Sequence, residues 1–553
     1  MSRTGTGQTP PEKIRTGRPK HWSRHSPEGP WDYVVIGSGM GGLTAAAMLA
    51  KLGRRVLVLE QHYVPGGFTH AFTRKGYTWD VGVHAIGEVT QHSFPGRLLH
   101  RLTDGRLRWG SLGSVYEEFH FPDLRIDFPD SPQAFRNNLV AAFPDEEEAI
   151  DRYLALVREV SGGMRSYYLG RAVPRWLGPV GKLMERSAQE HLNVDVRTVI
   201  DGLTDDPRLR AVLTAQWGYY GVSPSRASFA VQALVAKHYL HGGFYPVGGS
   251  SSIARELTRT VEDCGGWTRI LADVEEILVR GGRAVGVRLV GGEEILARRV
   301  VSAAGVLATV ERMLPASVTE KTWAASARRL TPGPAHVCLY LGFKGDIARE
   351  GASGANKWFY GTWSQEGEEA WRVDGPEIGP APVLYCSFPS MKDPEHDPGP
   401  EVRHTGEVVT FVPWETFAPW SGKPWRKRGA DYDALKAKIE ASLLEQFLGH
   451  MPGLAPMLDH VELSTPVSTD HFCRPMAGSI YGLEPTPERF ANPWLRPRSP
   501  VRNLYFAGSE VAMVGVIGAM MGGVLGAVAA EPARSLRYLK PVAGRPASPP
   551  SPP

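Results

Sequence analysis

The sequence predicts an α/β protein: a Rossmann-like nucleotide-binding domain assembled from separated stretches of chain, with an α+β second domain built from the segments between them. Three observations predict it. A strand, a glycine turn, a helix, a second strand and an acid follow one another over residues 33–60. A helix and then alternating strands and turns fill 242–305, ending on the apolar Val300-Val301-Ser302-Ala303. Near the C-terminus, NLYFAGSE leads from another strand into a glycine-rich apolar stretch.

Each element has a physical reason. Tyr33–Ile36 is a short apolar run suited to a buried parallel strand. Gly37-Ser38-Gly39-Met40-Gly41-Gly42 then contains G-x-G-x-x-G. Gly37 permits a tight turn, Gly39 lets the backbone approach a pyrophosphate, and Gly42 lets helix and strand pack closely. The second strand, Arg55–Leu59, closes on Glu60, where a carboxylate accepts from the adenosine ribose hydroxyls. FAD and NAD share this fingerprint. The second glycine pair, Gly66-Gly67, decides for FAD, because flavoproteins of the glutathione-reductase type place such a pair shortly after the ribose-binding acid.

The chain returns to this unit twice. Within 242–305 a helix is expected over Ser250–Cys264. In FAD proteins of the glutathione-reductase type a backbone at the position of Val274 commonly meets the adenine, and the buried strand ends beside Gly305. The strand at 503–506 then runs into Gly508 and Glu510. The FAD-binding domain is therefore expected from 31–90, 242–310 and 495–540, and the substrate-binding domain from 91–241 and 311–494. Only one G-x-G-x-x-G follows a strand, so NAD(P)H could bind only transiently or act through a partner; the electron donor or acceptor stays open.

At 553 residues the chain exceeds one compact core. Its 42% hydrophobic and 22% charged content suits a globular protein. The formal net charge of +4 is carried by residues 1–30 alone, so the remainder has no bias toward nucleic acid. This leader lacks the apolar core of a secretory signal; it is expected to be disordered, like the Pro-rich 541–553. Cys264, Cys338, Cys386 and Cys473 are scattered, which implies a reducing, cytoplasmic setting. No His, Cys or acid spacing suits a metal.

Val511–Ala530 has no charge over a length that could cross a bilayer. Gly515, Gly518, Gly522, Gly523 and Gly526 make it too rich in small residues for strong insertion, and we read them as points of close approach. A loop at Gly515–Ile517, with Val516 and Ile517, is expected to bring backbone N–H groups to the flavin pyrimidine. A helix from about Gly518 then packs against the first helix.

These segments resemble the phytoene desaturase, carotenoid isomerase and retinol saturase group of FAD oxidoreductases, nearest its retinol saturase branch. The resemblance rests on VVIGSGMGGLTAAAMLAKLGRRVLVLEQH, GGFTHAFTRKGYTWDVGVHAIGE and GGFYPVGGSSSIA. KRGADYDALKAKI, STPVSTDHF, GSIYGLE and NLYFAGSEVAMVGVIGAMMGG reinforce it. Together they cover most of 30–530. The resemblance implies FAD held non-covalently against a hydrophobic, often polyene, substrate. It assigns cofactor motifs to Gly37, Gly39, Gly42, Glu60, Gly66, Gly67, Gly508 and Glu510. Asp80-Val81-Gly82-Val83-His84 matches the saturase-like D-x-G-x-H, whereas Phe68-Thr69 stands where retinol saturases often have two cysteines.

The implied chemistry is hydride transfer through flavin N5 with a proton handled by the protein: saturation, desaturation or isomerisation of C=C bonds. His84 and Tyr481 are the candidate proton handlers and also candidate substrate contacts. Among the aromatic runs, Trp217, Tyr219 and Tyr220 are candidate substrate-lining residues beside the flavin, with plain core as the alternative. WSGKPWRKRG (420–429) suits either a solvated loop or a peripheral membrane contact. Two alternatives of the same fold stay open: a flavin amine oxidase, which calls for an aromatic cage and a buried lysine, and a non-catalytic escort protein that binds prenylated partners.

Overall fold

Strand Trp31–Ile36 is almost wholly buried because it lies between two parallel neighbours, Val56–Leu59 and Glu294–Ser302. Two more parallel strands extend this sheet, Trp267–Arg269 beyond Val56–Leu59 and Leu504–Phe506 beyond Glu294–Ser302. The strand order is therefore the one in which successive crossovers build outward from a central strand, and helix Met40–Lys51 makes the first crossover. The early half of Glu294–Ser302 also pairs antiparallel with the hairpin Val274–Arg280 and Arg283–Leu289. The computed structural model describes residues 21–173, 177–366, 370–375 and 377–539. Of the basic leader, 1–20 lies outside the described residues, as does the tail 541–553. Residues 21–25, expected to be disordered, instead follow the sheet edge: Ser23 bridges Arg269, and His25 O accepts from Trp267 Nε1 at 2.9 Å.

The second sheet runs in the order Leu458–Ser464, Ala335–Lys344, Arg403–Val412, Val383–Ser387, Asn356–Tyr360, Val115–Phe121, Leu124–Pro129. Only Asn356–Tyr360 and Val115–Phe121 pair in parallel. One face packs against helices Glu147–Ala172 and Phe229–Tyr239, the other against helix Ala430–His450. Both faces are thus covered, which is why Val383–Ser387 and Asn356–Tyr360 are buried along their whole length rather than alternately.

The glycine-rich stretch forms helix Gly515–Ala530, beginning earlier than the sequence suggests, so Val516 and Ile517 sit in its first turn and not in a loop. Its glycines face backbone. A Cβ on Gly523 would lie 2.3 Å from Gly41 O, and one on Gly522 would lie 1.9 Å from Gly508 O. Across the contact, a Cβ on Gly41 would lie 2.5 Å from Gly508 Cα. Two helices and a turn therefore meet at backbone distance. At about 1.5 Å per residue the helix is about 24 Å long, short of the roughly 30 Å hydrocarbon core. No helix among the described residues is long and apolar enough to cross a membrane. Gly523→Val should drive a side chain into the Gly41 carbonyl and cost about 3 kcal/mol or more, read as a lower denaturant midpoint.

Candidate active site

The turn after strand Trp31–Ile36 is built as its glycines require. Gly37 takes φ +90°, which a side chain would strain. A Cβ on Gly42 would lie 2.0 Å from Gly37 O, so this glycine closes helix onto turn. A Cβ on Gly39 would meet nothing within 4 Å, because that position faces open space. Gly39 is the N-cap of helix Met40–Lys51 and Val514 that of helix Gly515–Ala530; neither end has a side-chain cap. Both helices therefore present unpaired N–H groups and a partial positive charge to the same cavity. Glu60 Oε2 accepts from Ser38 N at 2.9 Å and Ser38 Oγ at 2.6 Å, and Oε1 accepts from His62 N at 2.8 Å. Besides lining the cavity, this acid braces the glycine turn. Glu510 does similar work: buried behind Gly305, its Oε2 accepts from Val306 N at 2.6 Å and caps helix Val306–Arg312.

The cavity holds about 1340 Å³, above the roughly 300–1,000 Å³ of a site for one small ligand. Gly37, Gly39, Gly41, Gly67, Val274, Gly305 and Gly508 line one end, with Val516 and Ile517. That end opens to solvent at Glu275, Val290, Arg312 and Arg474. Deeper lies an aromatic end: the Tyr219 and Trp358 ring centroids are 5.3 Å apart, Trp358 and Tyr385 4.5 Å, and His84 and Tyr385 5.2 Å.

His84 connects this aromatic end to a buried polar network. Its Nδ1 lies 2.8 Å from Glu407 Oε2, in contact but out of line for a hydrogen bond. Glu407 Oε1 accepts from Asp80 N at 2.8 Å, and Asp80 in turn accepts from Tyr245 and Ser250 hydroxyls. Lys392 Nζ donates to His84 O and to Ser387 Oγ, each at 2.7 Å, and to Asn356 Oδ1. Asn356 donates on to Tyr219 Oη at 3.2 Å, and Tyr219 donates to Glu117. Burial pushes the Glu407 carboxyl up to about 8, against the pull of the Asp80 N–H and Lys392. Burial, then the Glu407 charge, pushes Asp80 up to about 7. Burial pulls Lys392 down to about 7, and it pulls His84 down to about 3 with help from Lys392. The physical cause is common to all: charged forms are costly in a site without water.

Of the residues singled out from sequence, His84, Tyr219 and Tyr481 line the cavity. Tyr481 donates its hydroxyl to Gly218 O at 2.9 Å, so its proton is engaged with backbone. Trp217 and Tyr220 are core instead: both are buried off the cavity wall, and Tyr220 donates to Gln232 at 2.9 Å. Gly42 and Gly66 also stand behind the wall, as packing positions. Sequence reasoning missed His336, a buried cavity residue whose Nδ1 has no partner, and the supporting Glu407, Lys392, Asn356 and Glu117. A polar residue inside an apolar strand run, as in AHVCLYLGF and TGEVVTFV, was the available signal for His336 and Glu407. Lys392, on a loop, offered none.

The cradle is that of a flavoprotein fold, and comparison with known proteins agrees. Residues 40–530 match the family described as flavin containing amine oxidoreductase, and the chain belongs to it. It is 32% identical to the all-trans-retinol 13,14-reductase of Danio rerio over 519 residues, 89% of this chain and 84% of that protein. It is 26% identical to the chloroplastic prolycopene isomerase of Daucus carota, over 82% of this chain and 72% of that one. The solved structure of cyclohexylamine oxidase from Brevibacterium oxydans superposes with a TM-score of 0.57 at 16% identity, covering 93% of this chain and all of that one. The protein is an FAD-dependent oxidoreductase. Its residues fit the cofactor: the open face of Gly39 and the two uncapped helix ends suit phosphates and a ring that takes up negative charge.

Gly39→Ala should leave the apoprotein's stability within about 0.5 kcal/mol yet weaken FAD about tenfold, checked by thermal melts and flavin titration. Glu407 has a folded value above its unfolded one, so its contribution to stability is full in acid and is lost as pH rises through about 8. Between about pH 5 and about pH 9 the wild-type melting temperature should therefore fall more than that of Glu407→Gln.

Proposed function

We propose that the enzyme adds or removes hydrogen across a C=C bond of a lipophilic polyene, with saturation, desaturation and isomerisation as members of one chemistry. The observation that carries this reading is that His84 brings a buried proton store to the wall of an otherwise largely apolar and aromatic cavity end. Bound FAD supplies the hydride donor or acceptor. The chain supplies the proton: burial keeps Glu407 protonated near neutrality, 2.8 Å from His84 Nδ1, and once the two groups turn into line its proton passes to Nδ1 as His84 Nε2 gives one up to the substrate carbon. Tyr219, Trp358 and Tyr385 orient the conjugated chain and exclude water. The similar retinol reductase and prolycopene isomerase are named for polyenes, which supports this substrate class.

The amine-oxidase alternative calls for an aromatic cage and a buried lysine, and both occur. Lys392, however, stands behind the cavity wall with its three protons given to His84 O, Asn356 and Ser387. Peripheral membrane contact would fall to the exposed Lys423, Arg426 and Lys427 around Trp425; Arg428 is buried and donates to Val467 O.

The test is anaerobic: reduce the flavin, add polyenes, and follow flavin reoxidation and product mass. A gain of two hydrogens is expected for a saturase and unchanged mass with altered retention for an isomerase. Turnover of amines with no response to any polyene would overturn the reading. His84→Gln should lower the rate about 10²–10⁴-fold while flavin stays bound.

A further inference from the structure

The cavity has a second arm, apart from the residues that handle the proton. Helix Gly515–Ala530 turns its glycines to the first helix and lines the cavity with Ile517, Met521, Val524, Leu525 and Val528. These positions recur at helical spacing, so they form one stripe. From Ile517 to Val528 the stripe is about 17 Å long at about 1.5 Å per residue. Facing it are Leu98, Met164, Leu169, Leu234 and Val235 from three other helices.

This arm ends in a second opening, at the exposed His92, Arg165 and His241. Its rim is cationic. Arg97, Arg101 and Arg165 line it, and none forms an ion pair with a described carboxylate. Arg97 donates to Gln91 O and His92 O; Arg101 donates to Arg537 O and lies over the Tyr538 ring. The one acid lining this part, Glu88, is held by Lys237 and faces His238. Inside the rim, the Tyr168 hydroxyl is buried without a partner.

A nucleotide in the first opening would leave this arm as the substrate's way to His84. We propose that the arm holds the substrate's chain and that its rim selects an acidic amphiphile, a long unsaturated chain whose carboxylate sits at Arg97, Arg101 and Arg165. The inference rests on the polyene reading of the same cavity. An apolar stripe without a charged rim would suit a neutral hydrocarbon or alcohol; three arginines without carboxylate partners favour an anionic head.

The experiment uses the oxidised holoenzyme and three probes of one chain, a polyene carboxylic acid, its methyl ester and its primary alcohol, with binding read from perturbation of the flavin spectrum. The acid should bind at least about tenfold more tightly than the ester or the alcohol, as one charge-assisted pair supplies. Added salt should erode the difference. Combined Arg97→Gln, Arg101→Gln and Arg165→Gln should bring the three probes to within about twofold. Val524→Trp, or Val528→Trp if the first loses flavin, should weaken all three. Equal binding of acid and alcohol, or no effect of the tryptophan in a variant that keeps its flavin, overturns the proposal. So does loss of phosphatidylglycerol-vesicle binding in the arginine variant without any acid preference in the wild type, since the arginines would then serve a membrane. Because the readout is equilibrium binding, acid selectivity without turnover of any polyene would sink only the proposed reaction.

Discussion

Everything at the cofactor end depends on three stretches of backbone meeting with no side chains between them: Gly41, the Gly508 turn, and the Gly522-Gly523 face of helix Gly515–Ala530. Dispersion between backbones and the loss of any intervening group bring the two helices to a separation that alanine would not allow. Their N-termini are thereby held at one wall, and two sets of unpaired N–H groups act on one ligand. One end addresses phosphates and the other a ring. The fixed distance between them comes from the glycine contact, not from either helix alone.

The second organising feature is a polar network kept out of water. Asp80, Glu407, Lys392 and Glu117 are buried together, and each is hydrogen-bonded. Such burial is a weak source of stability, because desolvation offsets most of the attraction between charges. What the arrangement supplies is position and protonation. Carboxyls that elsewhere would be ionised are held ready to give up protons, behind a wall that His84 and Tyr219 cross.

The nucleotide half of this architecture was legible in the sequence because its physics is local. Gly37, Gly39, Gly42 and Glu60 act within a strand, a turn and a helix of contiguous chain, so spacing specifies geometry. The glycine helix was legible as a close-packing element, although its first turn began at Gly515 where a loop was expected; an apolar stretch has no capping residue to mark its start. The reaction end was legible only in part. His84 could be found because it sits in a motif with Asp80. Glu407, Lys392 and His336 reach it from strands and a loop more than two hundred residues away, and no local pattern announces such a meeting. Trp217 and Tyr220 show the converse. Aromatic content alone does not say which ring faces a cavity, and here neighbouring Tyr219 faces it while they do not.

The cavity's two openings have a kinetic consequence. One lies beside Val274 and Glu275 at the nucleotide end, the other at the far end of the arm lined by helix Gly515–Ala530. A cofactor seated through the first would leave the second free, so that substrate and product could exchange while the same flavin stays bound. The protein would thereby work as a reusable holder of one flavin, rather than as a complex that must come apart after every cycle.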